Sequence, residues 1–227
     1  MHLTVADVAA LLRIPTKQVY RWIDEGELDC NWFHDQPRFN RSEVLEWAME
    51  RRIPVAVERL LDEGGEDHVP SLAASLAAGG IHRAIGGKNR EEVLRQVVAV
   101  TQLPEMDKDT LVEVLLAREA TGSTGIGEGI AIPHVRQPIV VGGGSEMVSL
   151  CFLSNPVDFF AIDGSPVHTV FLIISATVRG HLHMLAKLSA ALSDSGFRSA
   201  ILHREANEQI LREAVRVESA LPSPSKA

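Results

Sequence analysis

The chain has 227 residues, 22 Lys/Arg against 30 Asp/Glu, a formal net charge of −8 and an apolar share of 45%. That length suits two domains, and that apolar share is ordinary for a globular protein. A globally basic nucleic-acid binder is excluded, and so is a disulfide framework, because Cys30 and Cys151 stand far apart with no CxxC spacing.

The opening "MHLTVADVAALL" lacks the basic start and long apolar core of a signal peptide. The strongest apolar run, "VFLIISATV" from Val170, is too short to span a bilayer. The expectation is a cytoplasmic protein in a reducing compartment, with no membrane association.

Residues 1–55 predict a helix-turn-helix domain. Thr4 is an N-cap for a helix that carries Val8, Leu11 and Leu12 at helical spacing. Pro15 breaks that helix and Thr16 is placed to cap a second one. On the second helix Val19, Trp22 and Ile23 share one face, while Lys17, Gln18 and Arg21 project from the other. Gly26 ends it. "LDCNWFHDQPRFN" reads as a short hairpin, and "SEVLEWAMERR" as a third helix with Ser42 near its start. The whole resembles the excisionase and MerR-like winged-helix family over about fifty residues. That resemblance implies that the second helix enters a major groove and the hairpin touches phosphate. Lys17, Gln18, Arg21, Arg38 and Arg41 are then the DNA-binding candidates. The same stretch carries seven basic and nine acidic side chains. Phosphate neutralisation dominates DNA affinity, so a module that binds protein or mediates homodimerisation is the alternative.

Residues 56–71, "AVERLLDEGGEDHVPS", hold one basic and five acidic side chains, two glycines and a proline. They read as an acidic, solvated linker. From residue 72 to 216 strand and helix patterns mix. "NREEVLRQVVAV" has Asn89 as cap and Glu92 at the capping-box position. "DKDTLVEVLLARE" is a second amphipathic helix. "GIAIPH", "EMVSLCFLS" and "HTVFLIISA" read as strands, and "RGHLHMLAKLSAALSD" as a long helix. "GFRSAILHR" and "EANEQILREAV" follow it. The fold class expected is α/β, a mixed sheet flanked by helices, preceded by the small, mainly helical winged-helix domain. Residues 217–227 form a C-terminal tail.

"STGIGEGIAIPH", Ser123 to His134, is the segment with chemical content. A P-loop needs Gly-Lys-Ser/Thr at its end, and Glu128-Gly129 stand there instead. A dinucleotide loop leads into a helix, and here a strand-like "IAI" follows. A nest of backbone N–H groups around one anion remains, with Ser123, Thr124, Gly125, Gly127 and Gly129 as the phosphoryl-binding loop. It would give His134 a task, because imidazole is a good nucleophile that can carry a phosphoryl group. Pro133, with its fixed φ, limits the wander of that histidine.

"REATGSTGIGEGIAIPH", "VDFFAIDGSPVHTVFLII" and "GHLHMLAKLSAAL", in that order and spacing, resemble the type 2 enzyme IIA domain of the phosphotransferase system. This is the fructose, mannitol and nitrogen-regulatory (PtsN-like) kind. The resemblance implies that His134 is the phosphorylated histidine, with Arg118 and His181 as its active-site partners and an HPr-like protein as phosphoryl donor. Glu128 stands where members commonly have a neutral residue, and "VRQPIVVGGGSE" makes a glycine-heavy rim after His134.

Helix geometry separates the other histidines. Residues two apart point to opposite sides. His181 runs with Met184, Leu185, Leu188 and Leu192 on a buried face, and His183 with Lys187 and Ala190 on a face expected to be wet. No metal site and no cofactor are expected, and His168, His183 and His203 are assigned to structure. The chain reads as a cytoplasmic regulatory phosphocarrier whose N-terminal module reports the phosphorylation state to DNA or to a regulated protein partner. The alternative is a transcription regulator whose second domain senses by binding, without phosphoryl turnover.

Overall fold

The structure is a computed structural model that describes residues 2–51, 53–56, 70–103, 107–135 and 146–221. Most of the expected linker, the rim segment 136–145 and the last six residues of the expected tail lie outside the described residues.

The N-terminal unit comprises β1 (His2–Leu3), α1 (Val5–Leu11), α2 (Thr16–Asp24), β2 (Asn31–Phe33), β3 (Gln36–Asn40) and α3 (Arg41–Glu50). Thr4 and Asp7 form a full capping box on α1. Two caps differ from expectation. Pro15, already extended at φ −65° and ψ 144°, takes the N-cap position of α2 and makes Thr16 the first helical residue. Asn40, not Ser42, caps α3, its side chain accepting from the Ser42 N–H at 3.0 Å. β2 and β3 form the expected antiparallel hairpin across His34 and Asp35, both at positive φ as a tight hairpin turn requires. Val8, Val19, Leu28, Phe39 and Leu45 close a small core of their own.

The second unit comprises α4 (Leu72–Gly79), β4 (Ile81–Ile85), α5 (Arg90–Val100), α6 (Lys108–Thr121), β5 (Gly125–Gly127), β6 (Ile130–Ala131), β7 (Met147–Val157), β8 (Val167–Ile174), α7 (Val178–Ser193), α8 (Ser195–Leu202) and α9 (Asn207–Ala220). Its five strands run in the order β4-β7-β8-β6-β5. β4–β7 and β6–β8 are parallel; β7–β8 and β5–β6 are antiparallel. β7 and β8 are apolar on both faces, as central strands between helix layers must be. Val148, Leu150, Phe152, Phe171 and Ile173 pack with α4, α7, α8 and α9. Cys151, Leu153, Val170, Leu172 and Ile174 pack under α5 and α6. The expected mixed sheet flanked by helices is therefore present.

The two units touch through α3 and α7. Met49 of α3 sits in the core cluster of the second unit. Ala186 is in the N-terminal cluster, and Leu182 and Ala190 pack against it. This overturns the expected wet face of α7. His183 is 3% exposed and Lys187 8%, because α3 and the C-terminal helix cover that side. Lys187 Nζ donates to the Pro70 carbonyl and pairs with Glu218, both at 2.9 Å.

Candidate functional site

His134 closes the strand that begins at Ile130. Its backbone bridges in parallel to Ile173 of β8, whose N–H donates to the Pro133 carbonyl at 3.1 Å. The imidazole is thus carried on the middle of the sheet and is 3% exposed. Its Nδ1 lies 2.7 Å from the Ile132 carbonyl oxygen. A carbonyl only accepts, so Nδ1 carries the proton and Nε2 is the nitrogen left for chemistry. His181, in the first turn of α7, places its ring centroid 5.1 Å from that of His134. Thr177 caps this helix, accepting from the Gly180 N–H at 2.9 Å, so the helix N-terminus, with its partial positive charge, opens at the site. Arg118, in the last turn of α6, donates from Nη1 to the Gly122 carbonyl at 2.9 Å. Its other terminal nitrogen contacts the residue that sequence reasoning missed.

That residue is Glu46, from α3 of the N-terminal unit. Its Oε2 accepts from Arg118 Nη2 at 2.5 Å, and its Oε1 lies 3.0 Å from His134 Nε2. The side chains of Glu46 and Arg118 are 8% and 9% exposed. One carboxylate therefore joins the guanidinium to the imidazole in a buried setting. The sequence signal for it is slight: Val44, Leu45, Trp47, Ala48 and Met49 spread an apolar arc wider than one helix face on either side of Glu46, and so wide an arc needs more than one cover. A cleft of about 400 Å³ beside the triad has Glu27, Asp29, Glu43, Glu46, Glu50 and Arg118 among its lining residues, together with apolar and neutral ones such as Trp47 and Ser123.

The glycine loop folds as a hairpin. β5 and β6 pair across Glu128 and Gly129, at φ 51° and 73°, the two positive values that a tight hairpin turn needs. A Cβ on Gly129 would strike the His168 ring. Four residues, Ile130 to Pro133, separate this turn from His134, five steps of chain that span up to about 16 Å when extended. Gly127 and Gly129 thus serve the hairpin, and Gly125 pairs with Ala131 along it. Ser123 and Thr124 lie at its open end, where the Thr124 carbonyl accepts from the Ile132 N–H at 2.9 Å. Buried Glu119 organises that end: it accepts from the Thr124 N–H at 3.0 Å and pairs with Arg90 at 3.1 Å. Glu128 is also at the turn, 4.0 Å from Arg198. The acid beside the imidazole is Glu46 and not Glu128.

His168 and His203 are held by other contacts. Burial, and then the charge of Arg204, hold His168 below the usual imidazole range; its Nδ1 lies 2.9 Å from Thr169 Oγ1. His203 turns back on Ser199. Among the described residues no cluster of three or more His, Cys, Asp or Glu could hold a metal ion. No described helix is long and apolar enough to cross a membrane.

On the N-terminal unit, Lys17 and Arg21 are exposed on α2 and Gln18 is half-buried. Arg21 pairs with Glu25 at 2.8 Å. Arg38 donates to Gln36 Oε1 at 2.6 Å and to the Pro37 carbonyl at 3.1 Å. Arg41 is half-buried at the start of α3. The hairpin adds Trp32 and Phe33, 63% and 62% exposed.

Two family descriptions match the chain. "Phosphoenolpyruvate-dependent sugar phosphotransferase system, EIIA 2" covers residues 76–214, and "Helix-turn-helix domain" covers residues 3–52. The chain is 35% identical over 139 residues to a nitrogen regulatory protein of Pseudomonas aeruginosa, spanning 60% of this chain and 88% of that one. It is 34% identical over 116 residues to a nitrogen regulatory protein of Bradyrhizobium diazoefficiens, spanning 49% and 72%. Among solved structures, nitrogen regulatory protein IIA-Ntr from Neisseria meningitidis superposes with a TM-score of 0.53 at 25% identity, covering 63% of this chain and 98% of that one.

Proposed function

The chain belongs to the type 2 EIIA family of the phosphoenolpyruvate-dependent sugar phosphotransferase system and also carries a helix-turn-helix domain, and we propose that it is a regulatory phosphocarrier that accepts a phosphoryl group on His134. The observation that carries this reading is the Nδ1 contact with the Ile132 carbonyl, which leaves Nε2 as the nucleophile, on a ring 5.1 Å from that of His181 and joined through Glu46 to Arg118. In the proposed step, Nε2 gives its lone pair to the phosphorus of a phosphohistidine on an HPr-like donor. The donor's P–N bond breaks and its electron pair returns to the donor imidazole. The proton stays on Nδ1, donated to the Ile132 carbonyl, and holds the ring's orientation.

Little covalent chemistry is asked of the protein, so catalysis rests on position and charge. Arg118 is the cation for the phosphoryl oxygens, through charge-assisted hydrogen bonds. His181, one ring away at the N-terminus of α7, supports the same charge. Ser123 and Thr124 form the near part of the phosphoryl-binding loop. The relatives named for nitrogen regulation favour a regulatory destination over sugar delivery. The helix-turn-helix domain would report the phosphorylation state to a regulated protein or to DNA, through Lys17, Gln18, Arg21, Arg38 and Arg41, in a homodimer if a single copy binds weakly.

The reading in which this domain senses without turnover draws on one observation, that the site is already occupied by Glu46. Incubation with a phosphorylated HPr-like donor separates the two. The expected result is one acid-labile phosphoryl group by intact mass, absent in His134→Ala and formed about 10²–10³-fold more slowly in Arg118→Ala. Undiminished labelling of His134→Ala would end the assignment.

A further inference from the structure

Of the groups that meet at His134, Glu46 alone comes from outside the EIIA fold, 88 residues away in sequence on α3. Its two oxygens divide between the nitrogen assigned to carry the phosphoryl group and the guanidinium assigned to hold it, at 3.0 Å and 2.5 Å. A phosphoryl oxyanion on Nε2 would need the same volume and the same cation. We propose that Glu46 is an internal occupant of the phosphoryl site: α3 is a docking surface whose partner is the unphosphorylated EIIA site, and docking and phosphorylation of His134 exclude one another. This rests on the reading of His134 given above.

Three physical effects make the exclusion. The first is space, since a covalent P–N bond puts phosphorus well inside the 3.0 Å that now separates Nε2 from Oε1. The second is the proton. A carboxylate only accepts, and Nδ1–H is committed to the Ile132 carbonyl, so the Nε2–Oε1 contact must hold a further proton between its atoms. A proton on Nε2 uses the lone pair that attacks phosphorus, and one on Oε1 still covers that lone pair with a hydrogen bond. The third is charge. A phosphoryl group brings about −1.5 to −2 against a buried carboxylate, where water screens little.

The surrounding contacts are built for docking. Glu46 is flanked on α3 by buried Val44, Leu45, Trp47, Ala48 and Met49. Met49, one turn on, enters the apolar core of the EIIA unit. On the opposing face Leu182, Ala186 and Ala190 of α7 let α3 approach closely. Lys17, Tyr20 and Arg21 of α2 remain exposed while α3 is docked, so the contact controls where the helix-turn-helix module is held and does not cover its second helix. By linkage the coupling is reciprocal. Phosphorylation frees α3, and anything that holds α3 away from the site speeds phosphorylation.

The test uses the full chain. Wild type and Glu46→Ala are mixed with a phosphorylated HPr-like protein and quenched at short times for intact mass. Glu46→Ala is expected to label faster by about 5–150-fold, the range typical of coupled sites. Hydrogen–deuterium exchange of the wild type, before and after phosphorylation, covers the case in which the variant folds poorly. Segments 41–50 and 182–190 are expected to gain exchange once His134 is phosphorylated. Equal or slower labelling of a folded Glu46→Ala, or unchanged exchange in both segments of the phosphorylated wild type, overturns the proposal and leaves His134 as acceptor. No label on either chain removes the phosphocarrier reading, and this proposal with it.

Discussion

Met49→Ala isolates the docking contact from the fold of either unit. The Met49 side chain lies on α3 but packs with Leu72, Ile130 and Leu192 of the EIIA core, so its truncation leaves the core of the N-terminal unit intact. Buried Met→Ala changes cost about 2–5 kcal/mol. Met49 also borders a cleft of about 260 Å³ that includes Ile126 and Ser193, into which water can follow, so the lower figure applies. About 2 kcal/mol is a roughly 30-fold weakening of docking. The chain provides its own probe, because Tyr20, Trp22, Trp32 and Trp47 are its only tyrosine and tryptophans and all lie in the N-terminal unit. Fluorescence therefore follows that unit, whereas far-ultraviolet circular dichroism follows all the helices. In urea, the fluorescence midpoint of Met49→Ala should fall below the dichroism midpoint. For a slope of about 1–2 kcal/mol/M the separation is about 1–2 M. If the two midpoints move together, or neither moves, Met49 does not act through docking and the reasoning fails.

Glu119→Leu should destabilise the EIIA unit by about 3–5 kcal/mol in urea unfolding followed by dichroism, because it strands Arg90 and the Thr124 N–H at the open end of the hairpin; a loss below about 1 kcal/mol would show that Glu119 is dispensable there. The cysteines should divide by environment: burial pushes the Cys151 thiol up to about 12, and burial, then Asp29, raises that of half-exposed Cys30. Maleimide should therefore add once to the native protein, at Cys30 and faster as pH rises, and a second time only in urea, as counted by intact mass.

Much of this molecule is written in short-range pattern. The capping residues Thr4, Asn89 and Thr177 and the apolar runs of β7 and β8 are each properties of a few neighbouring residues. Backbone periodicities of 2 and 3.6 residues convert such patterns directly into strands and helices. The glycines and Pro133 before it singled out His134, whereas Arg118 and His181 came only from the resemblance to the type 2 enzyme IIA domain. Two things were decided only in three dimensions. The glycines before His134 looked like a cradle for an anion, and the register of β5 on β6 made them a hairpin. His183 and Lys187 looked wet, and nothing in the local pattern singled out Glu46. All three are buried because α3 comes to rest on α7 and the C-terminal helix closes over Lys187. Which element covers a helix's second face depends on contacts such as Glu46 with Arg118 and His134, 72 and 88 residues apart, and no local periodicity encodes such a contact. Val44, Leu45, Trp47, Ala48 and Met49 mark a wide apolar arc on α3 that needs a cover. Only the tertiary structure shows that the cover is the histidine site itself, and that Glu46 reaches into it.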